Sequence, residues 1–372
     1  MTNSEREPTT EDALTSPAAE GSGRVAIGER EHVEERPHSE APSTSANPVW
    51  VVVELPEEEL GGAFSDKISR AGFKSQLHHP SIFLRHAVIE PEALALMMEA
   101  LVGRGGAPGA KMTLLNGLGE PSLTEILTQL EPLQQFLSRL KSQWLMPYIV
   151  ARRVFPQLQP VFNAKGAVVA QDALARLGNS QSQATGLDIV RAAAELDLGA
   201  LIDRLVRLEA FNAATGGDTA LILHLSTATL RSPQQLKFSL IELARVHRVE
   251  LSKVVLSASW ETCQEATSVG RAFFELRSLG VRYSVGGGVR TAEFSSVEHV
   301  IGLARSLDAT IVRMPYAGGA PFAFDPGVFE AVCAQAPDVG LSVHATRLAS
   351  VAELEAAKRA GAEFFSGRVL SR

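Results

Sequence analysis

Cysteine is scarce in this chain of 372 residues: only Cys263 and Cys333 occur, far apart and without metal-type or redox-type spacing. A disulfide framework and a zinc knuckle are therefore excluded, and a reducing cytoplasm is the expected location. The chain also lacks an apolar run near the ~20 residues that a membrane helix needs. Its N-terminus has no basic segment followed by an apolar core, so we expect neither a membrane span nor a secretory signal.

Outside the N-terminal segment, the chain has almost no excess of acidic over basic residues. The net charge is −7, and residues 1–49 with ten acidic and four basic side chains account for −6 of it. The nearly neutral remainder lacks the basic excess of a nucleic-acid groove, so we expect no nucleic-acid partner. Residues 1–48 also hold five prolines and few large aliphatic side chains. They are predicted to form a disordered acidic tail, because they cannot bury enough surface to offset chain entropy.

The remaining sequence has the composition of a globular α/β protein, with 45% apolar and 21% charged residues overall. Its first part, residues 49–120, predicts a small α/β domain that resembles no family we recognise. The pattern reads strand, helix, strand, helix, strand over 49–53, 60–76, 81–89, 91–102 and 111–115.

Residues 121–150 predict a helical linker. Ser122 and Glu125 form a capping-box pattern, so a helix should begin there. Leucines and Trp144 recur every seven residues between 123 and 144, which suits either an internal packing stripe or a helix pair in a homodimer. Pro132 interrupts the stripe and favours two shorter helices.

From residue 151 onward, short apolar strands alternate with amphipathic helices. Eight strands in just over 200 residues predict a closed TIM-like (β/α)8 barrel. An open doubly wound sheet is the alternative, but no glycine fingerprint follows the first strand. The predicted strands are 158–162, 167–174, 220–225, 254–258, 281–286, 309–313, 341–345 and 364–366.

The carboxyl ends of barrel strands carry the chemistry of this architecture. Only one predicted strand end offers a carboxylate, Asp172. A site for two divalent ions needs several oxygen ligands, so we expect no metal here.

Several of these strand segments resemble the motifs of the EAL domain, the family of cyclic-di-GMP phosphodiesterases. Residues 158–161 (LQPV) resemble its Q-P-I/V strand, and 172–176 (DALAR) its E-A-L-x-R signature. Residues 223–226 (LHLS) resemble V-N-L-S, and 279–282 (LGVR) match the segment that leads into the D-D-F-G loop. The resemblance runs in register from about residue 150 to 372 and implies an EAL-type barrel.

The departures from the family pattern fall on its metal and catalytic positions. The metal ligands that the resemblance implies correspond here to Asp172, His224, Ser257, Gly286 and Thr346. The position of the family's catalytic lysine holds an isoleucine, residue 311. We therefore expect a degenerate EAL domain that is not an enzyme and has no catalytic residue.

Nucleotide binding could survive without metal, because an arginine can hold a phosphate and glycine N–H groups at a strand end can cradle one. Alternatively, Arg176 pairs with Asp172 or a helix end, and the glycines only close a tight turn. His224 either shares an ion with Asp172 or is a hydrogen-bonded residue in the barrel mouth. The predicted cyclic-di-GMP contacts are Gln159, Asp172, Leu174, Arg176, Gly286, Gly287 and Arg313.

Three functions follow from these readings. The first is a regulator that acts through a protein partner and responds to cyclic-di-GMP. The second is an active metal-dependent phosphodiesterase with atypical ligands. The third is a barrel enzyme that binds a phosphorylated metabolite, suggested by the glycine run after the fifth strand.

Overall fold

The computed structural model describes residues 48–76, 79–88, 90–103, 107–178, 184–215, 217–265, 269–287, 296–316 and 325–370. The predicted tail, apart from Pro48, therefore lies outside the described residues. Within the described residues, no helix combines the length and the apolarity needed to cross a bilayer.

The first elements form an antiparallel sheet of five strands. The bounds are β1 Val49–Glu54, α1 Ala63–Arg70, β2 Lys74–Gln76, β3 His79–Ala87, α2 Pro91–Val102, β4 Lys111–Asn116 and β5 Glu131–Pro132. The strand order is β2-β3-β1-β4-β5, with β1 antiparallel to both of its neighbours. The succession βαββαβ and this order are those of a ferredoxin-like unit.

The helix predicted over residues 60–76 is shorter in the structure. It ends at Arg70 because Gly72 adopts a positive φ of 87°, a conformation that glycine allows at a helix end. The freed residues form β2, which pairs with β3 as a hairpin. The extra strand converts the predicted βαβαβ order into an antiparallel sheet.

Two helices follow β4 and pack on opposite faces of this sheet. They are α3 Leu123–Gln129 and α4 Leu133–Ser142, separated at Pro132 as its missing N–H predicts. Ser122 and Glu125 form the predicted capping box of α3. Leucines of the heptad stripe on α4 are buried in the same core as β1, so the stripe packs internally. A helical segment, α5 Met146–Val150, then leads into the barrel.

Eight further strands close into the predicted barrel. Their bounds are β6 Val154–Asn163, β7 Val168–Leu177, β8 Ala220–Leu225, β9 Val254–Ala258, β10 Arg282–Gly286, β11 Ile311–Pro315, β12 Ser342–Thr346 and β13 Phe364–Phe365. The strand β6 is antiparallel to both β7 and β13, whereas the other neighbours are parallel. The closed barrel confirms the predicted fold class and excludes the open sheet.

Helices surround the barrel and bury one apolar face against it. Their bounds are α6 Gly186–Glu195, α7 Gly199–Ala213, α8 Thr227–Leu230, α9 Pro233–His247, α10 Trp260–Glu265, α11 Val269–Arg277, α12 Val297–Ser306, α13 Pro326–Gln335 and α14 Val351–Ala360.

The interior of the barrel begins with an apolar layer near the amino ends of its parallel strands. We call it the apolar layer; it comprises Val161, Ala170, Ala220, Ile222, Val255 and Ile311. Ile311, which the resemblance aligns with a catalytic lysine, therefore packs in this apolar layer. The next inward residue along each strand lies two positions later, nearer the carboxyl end.

Candidate functional site

A polar layer lies directly above the apolar layer, at the carboxyl ends of the barrel strands. Because side chains alternate along a strand, the residues two positions beyond the apolar ones also point inward. We call this set the polar layer; it comprises Asp172, His224, Ser257, Arg313 and His344.

An ion pair between Asp172 and Arg313 forms the centre of the polar layer. Arg313 Nη2 donates to Asp172 Oδ2, and the two side chains are only 7% and 2% exposed. Arg313 Nη1 also donates to Ser257 Oγ at 3.1 Å. The pair joins β7 and β11, whose residues are 141 positions apart in sequence. The alternative in which Arg176 pairs directly with Asp172 is therefore not observed.

His224 completes the hydrogen bonding of the carboxylate. Burial alone would raise the pKa of Asp172, but the charge of Arg313 and the adjacent His224 outweigh burial and hold this pKa well below its usual range. Asp172 is thus an anion, and His224 Nε2–H donates to its Oδ1 at 2.7 Å. With 40% of its side chain exposed, His224 covers the buried pair on the solvent side.

His344 is the most deeply buried histidine of the polar layer, with 1% exposure. Its Nε2 lies 2.9 Å from Ser366 Oγ. Burial and the positive charge of Arg313 lower the pKa of His344 to about 3. The ring is therefore neutral at physiological pH, and its hydrogen bond to Ser366 links β12 to the end of β13.

The two predicted glycine contacts pack against the backbone of Arg313. Gly286 has a φ of 125°, and a Cβ at this position would lie 2.0 Å from the carbonyl oxygen of Arg313. The N–H of Gly287 donates to the same oxygen at 3.0 Å. Close approach of strand ends thus explains this glycine pair structurally. Their role as nucleotide contacts stays a prediction, and Gly288 lies outside the described residues.

A depression of about 440 Å³ opens beside the polar layer, on the β6–β7 side of the barrel. It brings together three of the predicted contacts, Gln159, Leu174 and Arg176. The antiparallel register explains why: Gln159 faces Asp172 across the strands, and Leu174 and Arg176 follow Asp172 on the same face of β7.

Arg176 lies at the rim of this depression, half-buried. Burial lowers its pKa, while the charge of Asp172 raises it. Its Nη1 donates to the carbonyl oxygen of Ala175 at 2.8 Å and lies 2.7 Å from where a Cβ on Gly186 would be. The absence of a side chain at the first residue of α6 therefore makes room for the guanidinium.

A further arginine, Arg347, was not among the predicted contacts. It follows β12 directly, has a φ of 61°, and is exposed at the surface. Burial of part of its guanidinium and the like charge of Arg313 lower its pKa, while Glu261 raises it. The signal available in the sequence was its position two residues after the seventh predicted barrel strand, near the end where barrel chemistry is expected.

The donor set of the polar layer does not fit a divalent metal. Among the described residues there is no cluster of three His, Cys, Asp or Glu side chains that could hold an ion. Both oxygens of Asp172 already accept hydrogen bonds, from His224 and Arg313. A divalent cation about 4 Å from the guanidinium would be repelled by roughly 8 kcal/mol at an effective dielectric constant of about 20.

Comparison with known proteins identifies a family for the barrel part of the chain. The EAL domain family model matches residues 142–372. Comparison with curated proteins gives no match.

Among solved structures, Bacillus subtilis YkuI, which has an EAL domain and was solved with cyclic-di-GMP and calcium, aligns with a TM-score of 0.51 and 16% identity. The alignment covers 62% of this chain and 57% of YkuI, so this chain matches little more than half of that protein.

Two longer matches extend N-terminal to the barrel. Vibrio cholerae LapD, in its S helix-GGDEF-EAL form without ligand, covers 88% of this chain and 90% of its own, with a TM-score of 0.53 and 11% identity. The EAL enzyme Bd1971, with bound cAMP and cyclic-di-GMP, covers 88% and 92%, with a TM-score of 0.53 and 12% identity. At such identities the likeness is one of fold.

These findings correct the expectation that the chain is not an enzyme. That prediction is wrong, because the matching family and the structures similar in fold include enzymes such as Bd1971. It gave the replaced motif positions more weight than membership in the family allows.

Proposed function

The chain belongs to the EAL domain family, and on this premise we propose that its barrel binds cyclic-di-GMP and regulates a protein partner in response. The observation that carries the proposal is the depression where Gln159, Leu174 and Arg176 meet beside the polar layer. Its volume of about 440 Å³ lies in the range of small-molecule sites.

The chemistry of the depression suits a cyclic dinucleotide. Arg176 presents a planar guanidinium, which holds phosphate oxygens through two parallel hydrogen bonds. The Gln159 amide both donates and accepts, so it can read a base edge or a ribose hydroxyl. Leu174 supplies an apolar surface against which a base can pack.

Titration calorimetry of the full chain with cyclic-di-GMP, in the presence of Mg²⁺, tests this proposal. We expect saturable binding that weakens by at least about tenfold in Arg176→Ala. The matched control is Arg271→Ala, which removes an arginine that is 79% exposed in an ion pair on α11. Absence of binding to the wild-type chain would overturn the proposal. Chromatography of the same samples detects any linear dinucleotide product. Its release would show phosphodiesterase activity in addition to binding.

Two exposed aromatic side chains favour a homodimer, which is separate from the regulated partner. Phe238 on α9 and Phe274 on α11 are 70% and 75% exposed. The two helices are neighbours, because Gln234 Nε2 donates to Glu275 Oε2 between them at 2.6 Å. We propose that a second copy of the chain packs on this surface. Sedimentation velocity should show self-association that a Phe238→Ser/Phe274→Ser variant loses, and a wild-type monomer at all concentrations would contradict it.

A further inference from the structure

The Asp172–Arg313 pair uses the hydrogen-bonding groups that a metal would need. Asp172 accepts from His224 at one oxygen and from Arg313 at the other. The arginine reaches Ser257 with its second terminal nitrogen. Within this ion pair, Nε of Arg313 is the side-chain atom that is buried without a hydrogen-bond partner. A cation could bind this carboxylate only by displacing His224 or the guanidinium of Arg313.

The charge around this pair favours an anion. Two further arginines lie within electrostatic reach of the pair. The charge of Asp172 raises the pKa of Arg176, and the charge of Arg313 lowers the pKa of Arg347. Glu261 faces Arg347 and offsets part of its charge. Asp172 neutralises one arginine, so the mouth of the barrel retains positive charge without any bound metal. Such fixed charge, in a partly dehydrated setting, attracts a phosphodiester.

We infer that Arg313 takes the place of divalent cations in this barrel, so that the mouth binds a phosphodiester ligand without metal. This inference rests on the proposed function, since cyclic-di-GMP is the probe. Arg313 is itself only 6% exposed, so it is a positioning residue. It fixes Asp172 and His224 beside the depression and balances the negative charge of Asp172, as a bound metal would have done.

The primary test is calorimetry of the full chain with cyclic-di-GMP in EDTA, in millimolar Mg²⁺ and in millimolar Ca²⁺. The expected dissociation constants agree within about twofold, because binding linked to no cation shows no cation dependence. Binding seen only with Mg²⁺ or Ca²⁺ would overturn the inference and leave the proposed function standing. No binding under any of the three conditions would overturn both.

Paired substitution separates the role of charge from that of folding. Asp172→Asn/Arg313→Gln replaces the ion pair by two neutral groups of similar shape, so neither partner is left as an unpaired buried charge. Its affinity in EDTA should fall by at least about tenfold, and Mg²⁺ should not restore it. The single variant Arg313→Lys keeps the charge of the pair, so its affinity should lie between those of the double variant and the wild type. The control is Asp308→Asn/Arg277→Gln, which neutralises a surface ion pair of the same barrel. Wild-type affinity of the first double variant in EDTA would refute the inference.

Discussion

The apolar and polar layers inside the barrel come from the same strands, two residues apart, yet they differ in what holds them together. The apolar layer is stabilised by close packing, because its side chains only need to exclude water and fill the available volume. The polar layer needs each partner in place, because a buried charge without its counterpart is costly. The successive residues are Ile222 and His224 on β8, Val255 and Ser257 on β9, and Ile311 and Arg313 on β11. Substitutions in the two layers should therefore fail in different ways.

Removing one partner of the buried ion pair should have the largest effect on stability. Arg313→Ala leaves the Asp172 anion buried and should lower the free energy of unfolding by about 3–5 kcal/mol, measured by urea denaturation. The neutral double variant Asp172→Asn/Arg313→Gln should recover most of that loss. Equal losses in the single and double variants would show that packing of the arginine, and not its charge, matters here.

A cavity in the apolar layer should cost nearly as much but spare the ligand. Ile222 is 3% exposed, and Ile222→Ala should lower the free energy of unfolding by about 2–5 kcal/mol through lost burial and the remaining cavity. Affinity for cyclic-di-GMP should stay within about twofold of the wild type, since the polar layer keeps its partners. A loss of affinity as large as that of Arg176→Ala would show that the two layers are coupled.

The polar layer should also make stability depend on pH through His344. The unfolded chain takes up a proton near pH 6.5, whereas the folded chain does so only near pH 3. Below pH 6.5 the unfolded state therefore binds more protons, and folding stability falls as pH decreases towards 3. Between pH 7 and pH 5 this amounts to about 2 kcal/mol, visible as a change in urea midpoint.

The variant His344→Gln is the control for this slope, because glutamine can still bond Ser366 but does not titrate. The difference between wild type and variant should be larger at pH 7 than at pH 5, in favour of the wild type. Asp172 adds no slope in this window: its lowered pKa stabilises the fold above about pH 4, and that contribution is lost only at lower pH. Parallel pH profiles would contradict the role given to His344.

The smallest effect is expected at the rim, from Gly186→Ala. A Cβ there would lie 2.7 Å from Arg176 Nη1, so the guanidinium must move. We expect the affinity for cyclic-di-GMP to fall by about threefold to tenfold, with a free energy of unfolding within about 1 kcal/mol of the wild type. Gly302→Ala on α12 is the control, because its Cβ would meet no atom within 4 Å. Unchanged affinity in Gly186→Ala would remove Arg176 from the ligand site.

Much of the barrel was predictable because its strands are short apolar runs separated by amphipathic helices. The predicted strand over residues 254–258 coincides with β9, and that over 220–225 with β8. The five-stranded sheet was predicted less well. Its hairpin strand β2 has only three residues and forms where a helix was expected. A strand this short carries no periodicity of its own and is decided by its pairing with β3.

The candidate site was predicted residue by residue but not as a set of contacts. Gln159, Leu174 and Arg176 were named one by one from the resemblance to EAL motifs, and the antiparallel pairing of β6 with β7 brings them together in the structure. The partnership of Asp172 with Arg313 was not predicted, because nothing local links residues that far apart. The position of Arg347 was missed because no motif pointed to it. How residues 49–120, 121–150 and 151–372 divide into domains stays a prediction.

The amino-acid sequence by itself determined which segments become barrel strands, since the alternation of apolar and polar residues is a local property of each segment. It also determined that a single carboxylate would lie at the described strand ends of the polar layer. Only the tertiary structure decided what that carboxylate binds. Barrel closure brings β7, β8, β9 and β11 around one axis, and in that confined space the guanidinium of Arg313 lies where an anion balances its charge and both terminal nitrogens find acceptors.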